Sequence, residues 1–131
     1  MSSKPSSCNV EEKLLFDHGT RIGVAALIDR VARSQIENII ASLDTVEGRE
    51  ALLVTAAFAR RQAKRNKVGT KMANFIVKAL LELYEKGCGK EEARKVLGFA
   101  KWIYEIEFTP RVNVERLTLQ EYLKQLASPG R

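Results

Sequence analysis

Apolar residues recur at three- and four-residue spacing along most of this chain, the period that gathers them on one face of an α-helix. The clearest stripe is Met72, Phe75, Ile76, Ala79, Leu80 and Leu83. It predicts a helix capped by Thr70 and ended by Gly87 and Gly89. Another helix is predicted over residues 90–108, with Ala93, Val96, Leu97, Ala100, Ile103 and Tyr104 inward and Phe99, Trp102 and Ile106 widening that face. Residues 46–66 read as a helix whose seam of Leu52, Ala56, Ala59 and Ala63 is small enough to admit a close neighbour.

The N-terminal third is more broken. Leu14, Leu15 and Phe16 suggest a short helix over 10–16, and residues 17–20 have the composition of a turn. A helix over 21–33 follows, carrying Ile22, Ala25, Ala26 and Val31. Ser34 with Glu37 has the form of a capping box, which opens a short helix through Ile36, Ile39, Ile40 and Leu43. Asp44 and Glu47 repeat that start signal. Near the C-terminus Pro110 favours extended backbone over 109–116. Thr118 with Glu121 then caps a last helix bearing Leu119, Tyr122, Leu123 and Leu126. The expectation is an all-α compact bundle of six or seven helices with no substantial sheet.

A chain of 131 residues is long enough for one hydrophobic core and short for two. We expect a flexible segment over 1–9, a single helical domain over 10–127 and a flexible tail over 128–131. No apolar run reaches the roughly eighteen residues of a membrane span, and no apolar stretch of the secretory kind opens the chain. The expected setting is therefore cytoplasmic, with no membrane partner. Cys8 and Cys88 could pair in a disulfide, but in a reducing compartment free thiols are the preferred expectation. With His18 alone they cannot supply a four-ligand zinc site, so no metal or cofactor is expected.

Net charge is +6, and its location changes the picture more than its size. Residues 1–50 balance at −2 and residues 82–131 at +1, whereas the 31 residues between Glu50 and Glu82 contain no acid. That window holds Arg60, Arg61, Lys64, Arg65, Lys67, Lys71 and Lys78. Helical spacing places Arg60, Lys64 and Lys67 in one arc, with Arg61 and Arg65 beside them and the alanine seam roughly opposite. Like charges at i, i+4 repel, so a segment that keeps Arg60–Lys64 and Arg61–Arg65 without acids is expected to meet an anion. Polyanionic nucleic acid fits, since arginine forks pair with phosphate and release counterions. These seven residues are the expected nucleic-acid-binding set.

No catalytic constellation accompanies them. His18 lies beside Asp17 without a nucleophile, and the chain has no phosphate-binding glycine loop or metalloprotease motif, so an enzyme is not expected. Glu105 and Glu107 read as surface or ion-paired carboxylates, and Phe99, Trp102 and Tyr104 as core. A helix-turn-helix regulator built from residues 33–43 and 46–66 is an alternative, as is a protein-interaction adaptor. The cations fall late in the second helix, however, whereas recognition helices contact bases near their N-termini. Backbone contact without sequence specificity is the preferred expectation.

The basic mid-chain helix Phe58-Ala59-Arg60-Arg61-Gln62-Ala63-Lys64-Arg65, in a short all-helical chain, resembles the small subunits of archaeal CRISPR effector complexes, above all the type I-A Cascade small subunit. The likeness covers about residues 20–107. It implies a non-catalytic subunit in antiviral defence, stacked in several copies with other effector subunits. Basic surfaces would then steady single-stranded DNA or the crRNA–target hybrid through the backbone, a role that would fall here on Arg60, Arg61, Lys64, Arg65, Lys67 and Lys71.

Overall fold

The structure is a computed structural model that describes residues 8–128, so expectations for 1–7 and 129–131 lie outside the described residues. Six α-helices follow in order: α1 (Glu12–Ile28), α2 (Arg33–Ala41), α3 (Ala51–Lys64), α4 (Thr70–Glu85), α5 (Lys90–Ile106) and α6 (Leu119–Ala127). Two short 3-10 turns, Ser42–Thr45 and Val114–Arg116, lie between them, and no strand occurs among the described residues. The fold is an all-α bundle, as the periodicity implies. No helix of the described residues is long and apolar enough to cross a membrane.

α1 is the central helix. It packs along α5 and also against α4, while α3 and α4 pair as a hairpin. Residues 17–20, expected as a turn, are helical and buried. Their polar groups are compatible with burial because each finds a partner on another element or within the helix. Asp17 accepts the backbone N–H of Leu119 at 2.9 Å, His18 Nε2 meets Glu82 Oε1 at 2.9 Å, and the Thr20 hydroxyl donates to Phe16 O at 2.8 Å. Gly19 and Gly23 serve close packing here, not chain reversal. A Cβ on Gly23 would lie 2.6 Å from the Ala100 carbonyl oxygen and 2.7 Å from Ile103 Cβ, and one on Gly19 would lie 2.8 Å from Val96 O.

The expected helix over 21–33 instead ends at Ile28. Arg30 turns left-handed (φ 58), and Arg30 N donates to Leu27 O while Val31 N donates to Ala26 O. That is the Schellman closure, and it uses Val31 as the apolar residue beyond the helix end. Val31 is buried, so its apolar phase was informative and its secondary structure was not. The Ser34–Glu37 capping box does not form: Ala32 is the N-cap of α2, Ser34 is already helical, and Glu37 pairs with Lys101 at 3.0 Å.

α3 begins at Ala51, not at 46. Val46 is extended and Gly48 has φ +81, while Arg49 donates to the carbonyls of Cys88 and Tyr84, holding residues 46–50 off the helix axis. Asp44 starts no helix and pairs with Arg94. The alanine seam does face inward, with Leu52, Ala56 and Ala59 buried and Ala63 half-buried. Thr70 is not the cap of α4 either: Gly69 is the N-cap, and the Asp29 carboxylate reaches across from the end of α1 to accept Met72 N–H at 2.9 Å. A Cβ on Gly69 would sit 2.1 Å from that carboxylate, so the borrowed cap requires glycine there. The Thr118–Glu121 signal succeeds in part, with Thr118 Oγ1 accepting Glu121 N–H at 3.1 Å. Residues 109–116 hold no strand, and their last three form the 3-10 turn.

Cys8 and Cys88 are bonded to each other, which overturns the free-thiol expectation. The bond spans 80 residues of sequence, and Asn9 N–H donates to Lys86 O at 3.2 Å beside it. Residues 8 and 9, grouped with the flexible start from sequence, are thus fastened to the α4–α5 turn.

Candidate nucleic-acid interface

The α3–α4 hairpin turns on a tightly specified tip. Asn66 is left-handed (φ 62), Asn66 N donates to Ala63 O, and Lys67 N donates to Gln62 O at 2.8 Å. This is again a Schellman closure. Gln62 is buried and held by its amide, which donates to Gln35 Oε1 at 2.8 Å, and Val68 tucks beneath the turn. The tip therefore presents Arg65 and Lys67 on either side of a backbone with little freedom.

All seven expected cations are exposed. On α3, Arg60, Arg61 and Lys64 occupy the solvent face with Val54 and Ala57, opposite Leu52, Ala59 and Gln62. On α4, Lys71, Asn74 and Lys78 share one exposed stripe at i, i+3 and i+7. Asn74 joins the two faces, its Oδ1 accepting from Arg60 Nη1 at 3.1 Å. Arg60, Lys71 and Lys78 are thereby brought to one surface, beside a groove of about 490 Å³ lined by Thr70, Lys71, Asn74, Phe75, Val77, Lys78 and the carboxylate-bearing Glu115. The helical arc that would carry Lys67 beside Lys64 stops where α3 stops, so Arg65 and Lys67 belong to the tip and not to the α3 stripe.

None of the seven forms an ion pair among the described residues, and Glu115 makes none with Lys71 or Lys78. Their polar contacts there are to neutral amides: Arg60 to Asn74, and Arg61 Nη1 to Gln62 Oε1 at 3.4 Å. Elsewhere five cations are matched with carboxylates, while Arg21, Arg30, Arg49, Lys86, Lys90, Arg111, Arg116 and Lys124 are spread over the rest of the fold and form no ion pair among the described residues. Lys13 meets Asp17 at 2.9 Å, Arg33 meets Glu105 at 3.3 Å, Lys95 meets Glu12 at 2.7 Å and Lys101 meets Glu37, while Arg94 meets Asp44. One local interaction does favour the cluster: Arg61 and Lys64 lie in the last turn of α3, where the helix dipole attracts positive charge. That helps two of the seven, and Lys71, in the first turn of α4, has the opposite sign of dipole energy.

Sequence reasoning missed Asn74 and the groove. The signal was present, since Asn74 falls in register with Lys71 and Lys78, but a charge count passes over an amide. It also misplaced Trp102, which is 67% exposed. The buried face of α5 is centred on Val96, Leu97, Ala100 and Ile103, and Trp102 lies about 160° round the helix from it. With Phe16, Phe99 and Leu119 it borders an apolar groove on the side of α1 and α5. Tyr104 is half-buried, with its hydroxyl on Val31 O at 2.6 Å.

No protein family, curated protein or solved structure matches this chain.

Proposed function

We propose that this protein is a non-catalytic nucleic-acid-binding subunit whose α3–α4 tip grips the phosphate backbone without reading sequence. The observation that carries this reading is the gathering of charge: seven exposed cations on one hairpin, in a stretch of chain that contains no acid, none with a carboxylate partner among the described residues. Unpaired, closely spaced cations repel one another, and a string of phosphates relieves that repulsion while releasing its own counterions. Backbone contact is favoured over a helix-turn-helix regulator because the exposed side chains on the early turns of α3 are Val54 and Ala57, which offer no donors to a base edge.

The resemblance in size, helix pattern and charge placement supports a finer version of the proposal, a small subunit of a CRISPR effector complex that works beside other effector subunits. A cytoplasmic setting belongs to that version. With Cys8 bonded to Cys88, it calls for the kind of cytosol in which structural disulfides persist, as in hyperthermophiles.

The test is binding of unrelated single-stranded and duplex oligonucleotides as salt is varied. Four to six phosphate contacts give a log–log slope of roughly −3 to −5, with little dependence on sequence. Replacing Arg60, Arg61, Lys64 and Arg65 with Ala should remove binding and leave the circular dichroism spectrum intact. Unchanged affinity in that variant refutes the proposal; strong preference for one duplex selected from a random pool supports the regulator instead.

A further inference from the structure

The Cys8–Cys88 bond lies beside a third group with metal-binding capacity. Cys88 immediately precedes Gly89, the N-cap of α5, and Glu92 lies in the first turn of that helix. The two sulfurs and a Glu92 carboxylate oxygen all fall within 4.8 Å of one another. Cys88 is fully buried, while Cys8 and Glu92 are part-exposed, so the cluster has a protein floor and an opening to solvent. We propose that, once reduced, Cys8, Cys88 and Glu92 form a site for a thiophilic divalent cation such as Zn²⁺, with water completing a tetrahedron.

The chemistry balances with a dithiol as reductant. The S–S bond accepts two electrons and two protons, giving two thiols, while the dithiol closes to its own cyclic disulfide. Binding of the cation then displaces both thiol protons, leaving two thiolates and a carboxylate as ligands. Zinc–sulfur distances of about 2.3 Å in a tetrahedron put the sulfurs roughly 3.7 Å apart, so the two must part from their bonded separation for the metal to enter. Cys8 can supply that opening because it precedes α1 and is not part of a helix. The surplus negative charge has counterparts: the positive end of α5, and Arg49, whose Nε donates to Cys88 O at 2.8 Å. Glu92 already accepts Gly89 N–H at 3.0 Å through Oε1, which orients the carboxylate beside the sulfurs. Disulfide and metal are thus alternative fastenings of residue 8 to the α4–α5 turn, chosen by redox state.

The test uses the full chain reduced by dithiothreitol, desalted without oxygen, and titrated with Co²⁺ as a visible stand-in for Zn²⁺. We expect one equivalent to give thiolate charge-transfer and tetrahedral d–d absorption that Zn²⁺ abolishes. The oxidised protein should give neither band. Glu92→Gln should weaken Co²⁺ binding at least about tenfold, and Cys8→Ser should remove the charge-transfer band. If reduction lowers helicity, Zn²⁺ should restore it in the wild type and not in Cys8→Ser. Absence of the bands in reduced wild-type protein, or Glu92→Gln titrating like wild type, overturns the three-ligand site. So does helicity that is lost on reduction and not recovered with Zn²⁺.

Discussion

On the side of the bundle formed by α1, α2 and α5, Lys13, Arg33, Lys95 and Lys101 each end on a carboxylate, and Arg94 reaches Asp44 in the first 3-10 turn. At the α3–α4 tip the same residue types stand without one: Arg60 turns to an amide, and Lys64, Arg65, Lys67, Lys71 and Lys78 make no ion pair among the described residues. The difference does not come from burial, since both sets lie at the surface. It comes from where acids occur along the chain, and from the fold bringing none within pairing distance of the tip. A run of positive charge carries little meaning alone. Set beside the five cations that this molecule pairs, the tip differs in gathering its unpaired cations on one hairpin, which is what the proposal of an external anion rests on.

The largest expected effect separates the two regions by function. Ala at Arg60, Arg61, Lys64 and Arg65 should cut affinity for a mixed-sequence oligonucleotide by at least about a hundredfold at low salt. Ala at Lys13, Lys95 and Lys101 removes almost as many charges, yet should change affinity by less than about threefold. Fluorescence anisotropy on both variants decides it. Equal losses would mean that net charge alone attracts the polyanion, and the comparison between faces would fail.

Next comes a pair of helix glycines with opposite expected signs. Gly23→Ala drives a methyl toward the Ala100 carbonyl, which as backbone cannot rotate away, and into Ile103. It should cost roughly 1–3 kcal/mol of unfolding free energy, even after the modest helix-propensity gain. Gly98→Ala on α5 meets nothing within 4 Å and should stabilise by about 0.5–1 kcal/mol. Urea melts measure both. Neither change touches the tip, so oligonucleotide affinity of the folded protein should stay the same.

Much of this was legible from the chain, and the failures share a cause. Periodicity located α3, α4, α5 and α6 because their apolar faces are one-sided, and the acid-free window pointed to the tip. It failed at α1, whose residues 17–20 look like a turn and are helical because α4, α6 and α1 itself satisfy their polar groups. It failed again at Thr70, because the cap of α4 comes from Asp29, 43 residues away in the chain. The Cys8–Cys88 bond is of the same kind. Local pattern sees faces and composition, and a partner supplied from a distant segment leaves no mark on it.

Asp29 links the two regions, since it ends the central helix and caps the hairpin's second helix. Asp29→Ala should lower stability by about 1 kcal/mol through the lost cap, with Asp29→Asn closer to wild type. Because the substitution removes a carboxylate from the base of the basic surface, affinity measured on the folded protein should hold or rise slightly. A fall in affinity matching the tetra-alanine variant would show that the tip depends on that cap for its shape.

The smallest effect is a pH dependence seated where α1 meets α4, at His18 and Glu82. Burial holds the His18 imidazole below its ordinary value, against the opposing hydrogen bond and charge of Glu82. The unfolded chain therefore takes up a proton at this residue before the folded protein does. The resulting stability is full above about pH 6.5, the unfolded value, and is lost as pH falls through the lower folded value, since protons then favour the unfolded state. His18 is the chain's only histidine, so no other side chain of ordinary pKa titrates across that window. Urea midpoints should decline between pH 7.5 and 5.5, and His18→Gln should flatten that decline. Oligonucleotide affinity of the wild type should not follow it, because His18 lies on α1 and not on the tip. An affinity that tracked the stability curve would place the binding surface on the α1–α4 contact and not on the hairpin tip.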